Sequence, residues 1–190
     1  MHFDYYRWGI GLWGATIIVW LLGMFTSKRT VARQSPGSRS LQSGLTLLAY
    51  FLLFSGDSRW GWLATRYVGP SDVVGAAGLV VTFLGLSFAV WARLQLGRNW
   101  SSVVTVKEDH QLIRGGPYAI VRHPIYTGLL LGFLGMALIT GELGGLLGLT
   151  LLFVAFWLKS RTEEVFMRQQ FGAQYTQYQH DVKGLIPFIY

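Results

Sequence analysis

The chain has 190 residues and a mass of 21.3 kDa, which is enough for one domain and too little for two sizeable cores. It is 52% hydrophobic and only 13% charged, with a mean hydropathy of +0.38, whereas soluble domains carry roughly 25% charged residues. Cysteine is absent, which excludes disulfides, thiolate metal sites and a cysteine nucleophile. The net charge of +7 would suggest a nucleic-acid partner in a soluble chain, so the positions of the charges decide its meaning.

Five long stretches without Lys, Arg, Asp or Glu follow one another along the chain. They contain 20, 17, 20, 19 and 16 residues, at 8–27, 40–56, 73–92, 123–141 and 143–158. A membrane-crossing helix needs about 17–25 apolar residues, and the fifth stretch reaches that length if its helix continues past Lys159. We therefore predict an all-α polytopic membrane protein with five transmembrane helices. The first stretch is too long for a cleaved signal, and the last two form a helical hairpin.

Basic residues are concentrated in alternate connections between these stretches. The loop 27–43, the segment 93–122 and the tail after Leu158 together hold 13 of the 16 Lys and Arg residues. By the positive-inside rule these segments are cytoplasmic, so the N-terminus is predicted outside and the C-terminus inside. The basicity therefore indicates orientation, with membrane lipids as the partners of the loop 27–43 and no nucleic acid.

Two apparent motifs carry little weight. Residues 9–14 match the glycine pattern of dinucleotide-binding proteins, but no strand precedes them and they open a membrane helix. The four His residues lack the spacing of a metal site, so no metal is predicted.

The segment 115–128 combines a Gly-Gly-Pro turn, an Arg-His pair and two Tyr residues at the start of the fourth stretch. Pro124 suits the first turn of a helix, where its missing N–H is not needed. We expect the backbone N–H groups of that helix end to face solvent and to suit an anion such as a carboxylate. Arg122 and His123 would add a positive charge and a neutral donor. The alternative is a membrane anchor, Arg122, beside a helix-capping turn.

A second polar segment, 159–164, follows the fifth stretch. On a continued helix Lys159 and Glu163 lie four residues apart and can pair. An inward-facing carboxylate there could hold a ribose hydroxyl or an ammonium group; the alternative is a solvated helix end. Aromatic and Met residues then recur at spacings of three and four, which predicts an amphipathic helix on the membrane or folded over the site. These residues are Phe166, Met167, Phe171, Tyr175 and Tyr178.

The C-terminal half resembles the isoprenylcysteine carboxyl methyltransferase family, which includes the related phospholipid methyltransferases. The similar segments are Leu-Gly-Arg-Asn-Trp-Ser at 96–101, His-Gln-Leu-Ile at 110–113, Gly-Pro-Tyr at 116–118, Arg-His-Pro-Ile-Tyr at 122–126, Glu-Glu at 163–164, Phe-Gly at 171–172 and Ile-Pro-Phe-Ile at 186–189. We expect one membrane domain, 1–190, in which helices 1–3 occupy 1–92. The methyltransferase region, which carries the resemblance, occupies 93–190.

The resemblance also implies S-adenosylmethionine as the cofactor and assigns residues to its site. The cofactor-binding residues are His110, Gln111, Leu112, Ile113, Tyr118, His123, Pro124, Ile125, Tyr126 and Glu164. Glu163 matches an acid that family members use near the substrate. Lys159 stands where they carry Arg; it keeps the charge but loses the bidentate fork, and Arg161 is the other candidate for that role. The predicted catalytic residues are Glu163, Lys159, Arg161 and Arg122.

The predicted reaction is methyl transfer to a lipophilic acceptor that enters from the bilayer and meets the cofactor on the cytoplasmic side. Prenylated protein C-termini, isoprenoid or fatty acids, phospholipid amines and small thiols all remain open as acceptors. An NADPH-dependent membrane sterol or enone reductase is the alternative enzyme, although such enzymes favour Asn where this chain has Ile125. A non-catalytic membrane scaffold or carrier is the third possibility.

Overall fold

The computed structural model describes residues 3–24, 30–33, 36–55, 61–97, 105–107, 112–187 and 189. Six α-helices dominate this part of the chain. They are α1 (Tyr5–Met24), α2 (Pro36–Phe54), α3 (Asp72–Leu96), α4 (Pro124–Thr140), α5 (Leu143–Phe171) and α6 (Ala173–Asp181). Short 3₁₀ turns at Gly61–Ala64 and Gly116–Ala119 precede α3 and α4. The helical architecture agrees with the prediction from composition and hydropathy.

One feature of the fold was not predicted: a short two-stranded antiparallel ribbon. It pairs β1 (Thr30–Arg33), in the basic loop, with β2 (Thr105–Lys107), in the connection between α3 and α4. Within the described residues the chain is therefore not purely α. Both strands are too short to give a periodic pattern in the sequence.

Glycines bring α3 and α4 into close antiparallel contact. A Cβ atom at Gly85 would lie 2.6 Å from the backbone N of Gly132 and 2.7 Å from the backbone O of Gly128. A Cβ atom at Gly78 would likewise lie 2.7 Å from the backbone O of Gly135. Gly128 and Gly132 of α4 therefore both lie against α3.

The helices α4 and α5 form the predicted hairpin, because only two residues join them. Gly141 ends α4 with a positive φ of 64°, a conformation that glycine adopts without strain. The helix α5 continues past Lys159, as the prediction required, and its 29 residues span about 43 Å. Since the hydrocarbon core of a membrane is about 30 Å thick, the last third of α5 extends beyond that thickness.

An aromatic cluster fills the middle of the bundle. Trp13 of α1 and Phe133 of α4 lie edge to face, with ring centroids 5.1 Å apart, and Tyr50 and Phe54 of α2 pack against both. Two helices of the described chain, Asp72–Leu96 and Leu143–Phe171, are long and apolar enough to cross a membrane. Ser40–Phe54 and Pro124–Thr140 are shorter apolar helices.

The C-terminal segment folds back over the start of α4. Gly172, with φ 50°, breaks the helix between α5 and α6. The predicted single amphipathic helix is thus two helices, and Tyr175 and Tyr178 of α6 are 2% and 4% exposed. The Tyr178 hydroxyl donates to the backbone O of Tyr118 at 2.5 Å. Burial raises the pKa of Tyr178 to about 12, so this donor keeps its proton at neutral pH.

Candidate active site

The polar residues predicted from the two C-terminal segments meet at one end of the bundle. Arg122 and His123 lie just before α4, Tyr126 lies in its first turn, and Glu163 and Glu164 lie on the part of α5 that exceeds a membrane thickness. The two groups are about forty residues apart in sequence. The α4–α5 hairpin brings them together.

Arg122 and Glu164 form a buried ion pair at the centre of this cluster. Arg122 Nη2 and Nε donate to the same Glu164 oxygen, Oε1, at 2.7 and 3.0 Å, and the two side chains are only 13% and 5% exposed. The other oxygen, Oε2, accepts from Gln179 Nε2 of α6 at 3.0 Å. Charge-assisted hydrogen bonds of this kind hold a carboxylate in one orientation.

His123 lies between the two carboxylates. Its Nδ1 is 3.4 Å from Glu163 Oε2 and its Nε2 is 3.3 Å from Glu164 Oε1. A neutral imidazole has only one N–H donor, so the protonated ring satisfies both contacts. Burial acts to lower the pKa of His123, but hydrogen bonds from the ring to both carboxylates outweigh burial and raise it above its ordinary value.

Tyr126 links the cluster to Glu163 and to Lys159. Its hydroxyl donates to Glu163 Oε1, and its ring stacks on the His123 ring with centroids 5.6 Å apart. On the other side it stacks on Phe156 at 4.7 Å. The Lys159 ammonium lies 5.4 Å from the centre of the Tyr126 ring. The Glu163 side chain, 24% exposed, is the more accessible of the two carboxylates.

The residues just before α4 are bonded to the C-terminal end of the chain, a contact that the sequence did not predict. The backbone N–H groups of Arg122 and His123 donate to the carbonyls of Lys183 and Gly184, at 2.7 and 3.1 Å. The Thr127 hydroxyl donates to the carbonyl of Leu185 at 2.6 Å. We call residues 182–187 the C-terminal strap. These acceptors lie about sixty residues away in sequence, so no local pattern reveals them.

Apolar predicted residues form a wall beside the polar cluster. Tyr118 and Ile125 are 8% and 9% exposed and pack together with Ala92 of α3, and Ile113 packs against them. Pro124 is buried at the first position of α4, and Leu112 is half-buried. The predicted residues His110 and Gln111 lie outside the described residues.

Arg161 is not part of the cluster. Its side chain is exposed, and its guanidinium lies 5.7 Å from the centre of the Trp157 ring. Lys159, two residues earlier on α5, faces the cluster instead, because two residues correspond to about 200° around a helix.

Gln179 was not singled out from the sequence, although it contacts both members of the buried ion pair. Its backbone O accepts from Arg122 Nη1 at 3.1 Å, in addition to its side-chain contact with Glu164. A single Gln in a polar helix gives no signal of such a role. Its position one residue after Tyr178, on a helix predicted to cover the site, was the available hint.

Two other features of the described residues bear on the site. No group of three or more His, Asp or Glu residues in the part of the chain that the structure describes could hold a metal ion. A groove of about 440 Å³ opens at the opposite end of the bundle, lined by residues that include Tyr5, Arg66, Asp72 and Ile139. This groove is separate from the polar cluster.

Comparison with known proteins identifies the family. The family model described as phospholipid methyltransferase matches residues 73–174, more than half of the chain. The chain belongs to the phospholipid methyltransferase family. The matched region runs from the start of α3 to the start of α6 and contains all of the polar cluster except Gln179 and the C-terminal strap.

Among relatives of this phospholipid methyltransferase family member, a rice protein named probable protein-S-isoprenylcysteine O-methyltransferase is 32% identical over 119 residues, or 61% of this chain and 62% of that protein. The fission yeast protein-S-isoprenylcysteine O-methyltransferase is 37% identical over 101 residues, or 52% of this chain and 43% of that protein.

A solved structure is also similar: a eukaryotic intramembrane Ras methyltransferase, isoprenylcysteine carboxyl methyltransferase. It is 26% identical, with a TM-score of 0.51, over 84% of this chain and 55% of that chain. The chain therefore spans less than two thirds of the length of these relatives.

Proposed function

We propose that this chain is a membrane-embedded methyltransferase that transfers a methyl group from S-adenosylmethionine to a carboxylate on a lipophilic acceptor, such as a prenylcysteine. The observation that carries the proposal is the buried cluster of His123, Tyr126, Glu163 and Glu164, in a chain of a methyltransferase family. The names of the relatives support methyl transfer over hydride transfer from NADPH and over a scaffold role.

The described residues fit S-adenosylmethionine in their chemistry. The cofactor carries a cationic sulfonium, an ammonium group and ribose hydroxyls, which suit a carboxylate with a hydroxyl beside it. Glu163 supplies such a carboxylate, and it is still partly exposed. The wall of Tyr118, Ile125 and Ile113 is apolar, as the non-polar parts of a cofactor require. The residues that would hold the cofactor are therefore Glu163, His123, Tyr126 and Tyr118, together with the segment 110–113. Glu164, whose oxygens are bonded by Arg122 and Gln179, would support His123.

S-adenosylmethionine supplies an activated methyl group: its S–CH₃ bond breaks as the O–CH₃ bond forms, and the electron pair stays on sulfur, giving a methyl ester and S-adenosylhomocysteine. An acceptor carboxylate is ionised at neutral pH, so the protein needs to orient reactants rather than remove a proton. Tyr126 and His123 keep Glu163 in one orientation, and α6 with the apolar wall excludes water.

Lys159 is the residue best placed to attract the acceptor carboxylate. Its ammonium lies over Tyr126, one helical turn before Glu163, whereas Arg161 faces away. A Lys ammonium attracts a carboxylate as a point charge, without the paired hydrogen bonds of Arg. We therefore propose catalytic roles for Glu163 and Lys159 and a supporting role for Arg122, and none for Arg161. Comparing the turnover of Lys159→Ala with that of Arg161→Ala tests this order: a larger loss in Arg161→Ala contradicts it.

The proposed arrangement in the membrane has five helical crossings, with the N-terminus outside and the site at the cytoplasmic face. The directions of the helices support it, since α1 runs parallel to α3, with Tyr5 near Gly75 and Gly23 near Arg93, and both run antiparallel to α4. The whole chain, 1–190, is proposed to form one membrane domain, with helices 1–3 in 1–92 and the methyltransferase region in 93–190.

The test uses purified protein in nanodiscs with S-adenosylmethionine tritiated on its methyl group. The acceptors are an S-farnesylcysteine derivative, palmitate and phosphatidylethanolamine. We expect binding of S-adenosylhomocysteine by calorimetry, no binding of NADPH, and a product from the farnesylcysteine whose label is released by alkali as methanol. If phosphatidylethanolamine instead carries tritium that alkali does not release, the acceptor is an amine and not a carboxylate. Binding of NADPH without S-adenosylhomocysteine would overturn the proposal.

A further inference from the structure

The buried ion pair Arg122–Glu164 is held from outside the region that the family model matches. Gln179, on α6, lies five residues beyond residue 174, where that match ends. Its side-chain N–H₂ donates to Glu164 Oε2 at 3.0 Å, and its backbone O accepts from Arg122 Nη1 at 3.1 Å. One residue of α6 thus contacts both the carboxylate and the guanidinium.

The contacts of Glu164 are divided between its two oxygens. Oε1 accepts from Arg122 and faces His123 Nε2 at 3.3 Å, while Oε2 accepts from Gln179. Fixing Oε2 fixes the rotation of the whole carboxylate, because the two oxygens are rigidly linked. The orientation of Oε1 toward the His123 ring therefore depends on Gln179 as well as on Arg122.

Backbone carbonyls of the C-terminal strap add further hydrogen bonds to Arg122 and His123. Arg122 Nη1 also donates to the carbonyl of Val182, and the backbone N–H groups of Arg122 and His123 donate to the carbonyls of Lys183 and Gly184. The C-terminal 179–184 segment therefore holds Arg122 at both backbone and side chain and holds His123 at its backbone N–H. These contacts order residues that themselves face Glu163 and Tyr126.

We propose that Gln179 is a positioning residue, which acts through Glu164 to fix the His123 ring in the site. This inference deepens the proposed function, on which its effect on cofactor binding rests. The groups that face His123 are Glu163 and Glu164 of α5 and the Tyr126 ring of α4, and Arg122 bonds the same Glu164 oxygen that faces the ring. The Gln179 side chain acts on the ring through its hydrogen bond to Glu164.

The test replaces Gln179 with a residue of the same shape that carries a charge. In Gln179→Glu a second carboxylate faces Glu164, and the added negative charge near the His123 ring raises the pKa of His123. Gln177→Glu is the matched control: it makes the same change two residues earlier on α6, where the exposed Gln177 side chain donates to the Asp181 carboxylate at 3.0 and 3.2 Å. Gln179→Leu removes the hydrogen bond without adding charge.

The first readout is the pKa of His123 in ligand-free protein, measured by NMR of labelled histidine and assigned with His123→Gln. We expect a pKa at least half a unit higher in Gln179→Glu than in Gln177→Glu. Equal values in the two variants overturn the proposal, whether or not the protein binds a cofactor.

The second readout is the affinity for S-adenosylhomocysteine by calorimetry, at pH 6 and pH 8. We expect Gln179→Leu and Gln179→Glu to bind S-adenosylhomocysteine about tenfold more weakly than the wild type. At pH 6 the affinity of Gln179→Glu should partly recover, because the introduced carboxylate and Glu164 then share a proton. Gln177→Glu should match the wild type. If the wild type does not bind S-adenosylhomocysteine, the proposed function fails while the NMR titration still decides the role of Gln179. Wild-type affinity in both Gln179 variants refutes the positioning role.

Discussion

Glu164 compensates a buried positive charge, so its removal should destabilise the protein. In Glu164→Ala, the Arg122 guanidinium stays largely buried and loses the acceptor of two hydrogen bonds. Breaking one partner of such a pair destabilises a protein by about 3 kcal/mol. Unfolding in mixed micelles titrated with SDS measures this loss. The control is Asp181→Ala, which removes an exposed carboxylate beside His180 and should unfold as the wild type does. Equal stability of Glu164→Ala and Asp181→Ala would contradict a stabilising role for the buried pair.

The raised pKa of His123 predicts how stability depends on pH. The protonated ring bonds both carboxylates, so its contribution is fully present below the ordinary pKa of 6.5 and disappears as the pH rises through the raised pKa of the folded state. The free energy of unfolding of the wild type should therefore exceed that of His123→Gln most at pH 6 and least at pH 9. A difference that grows with pH would show that the ring is neutral in the folded protein.

At the level of elements, the approach of α3 to α4 depends on glycine. A Cβ atom at Gly85 meets backbone atoms of Gly132 and Gly128 at 2.6 and 2.7 Å, so the helices must separate to admit it. Gly85→Ala should lower the free energy of unfolding by about 1–3 kcal/mol. Gly44→Ala on α2, whose added methyl meets nothing within 4 Å, should be neutral or slightly stabilising. Thermal unfolding in detergent compares the two, and equal effects would argue against close α3–α4 packing.

For the molecule as a whole, the sequence predicts the helices and singles out polar residues that lie together at one end of the bundle, but it predicts their partners poorly. Hydropathy and charge-free length located the helices, and the family resemblance found His123, Tyr126, Glu163 and Glu164. Arg122 pairs with Glu164, 42 residues away in sequence. The C-terminal strap accepts hydrogen bonds from the backbone of Arg122 and His123, about sixty residues away. Such contacts depend on the tertiary arrangement, which neither periodicity nor spacing encodes.

The orientation of the whole molecule in the membrane can be tested with single cysteines, because the chain has none of its own. Asp4 and Asp181 are both exposed acids, one near each end of the chain. If five helices cross the membrane with the N-terminus outside, Asp4→Cys in intact host cells reacts with a membrane-impermeant maleimide. Asp181→Cys should react only after the membrane is permeabilised. Labelling of both cysteines from the same side would show that the number of crossings is even, and the reverse pattern would place the candidate active site outside the cytoplasm.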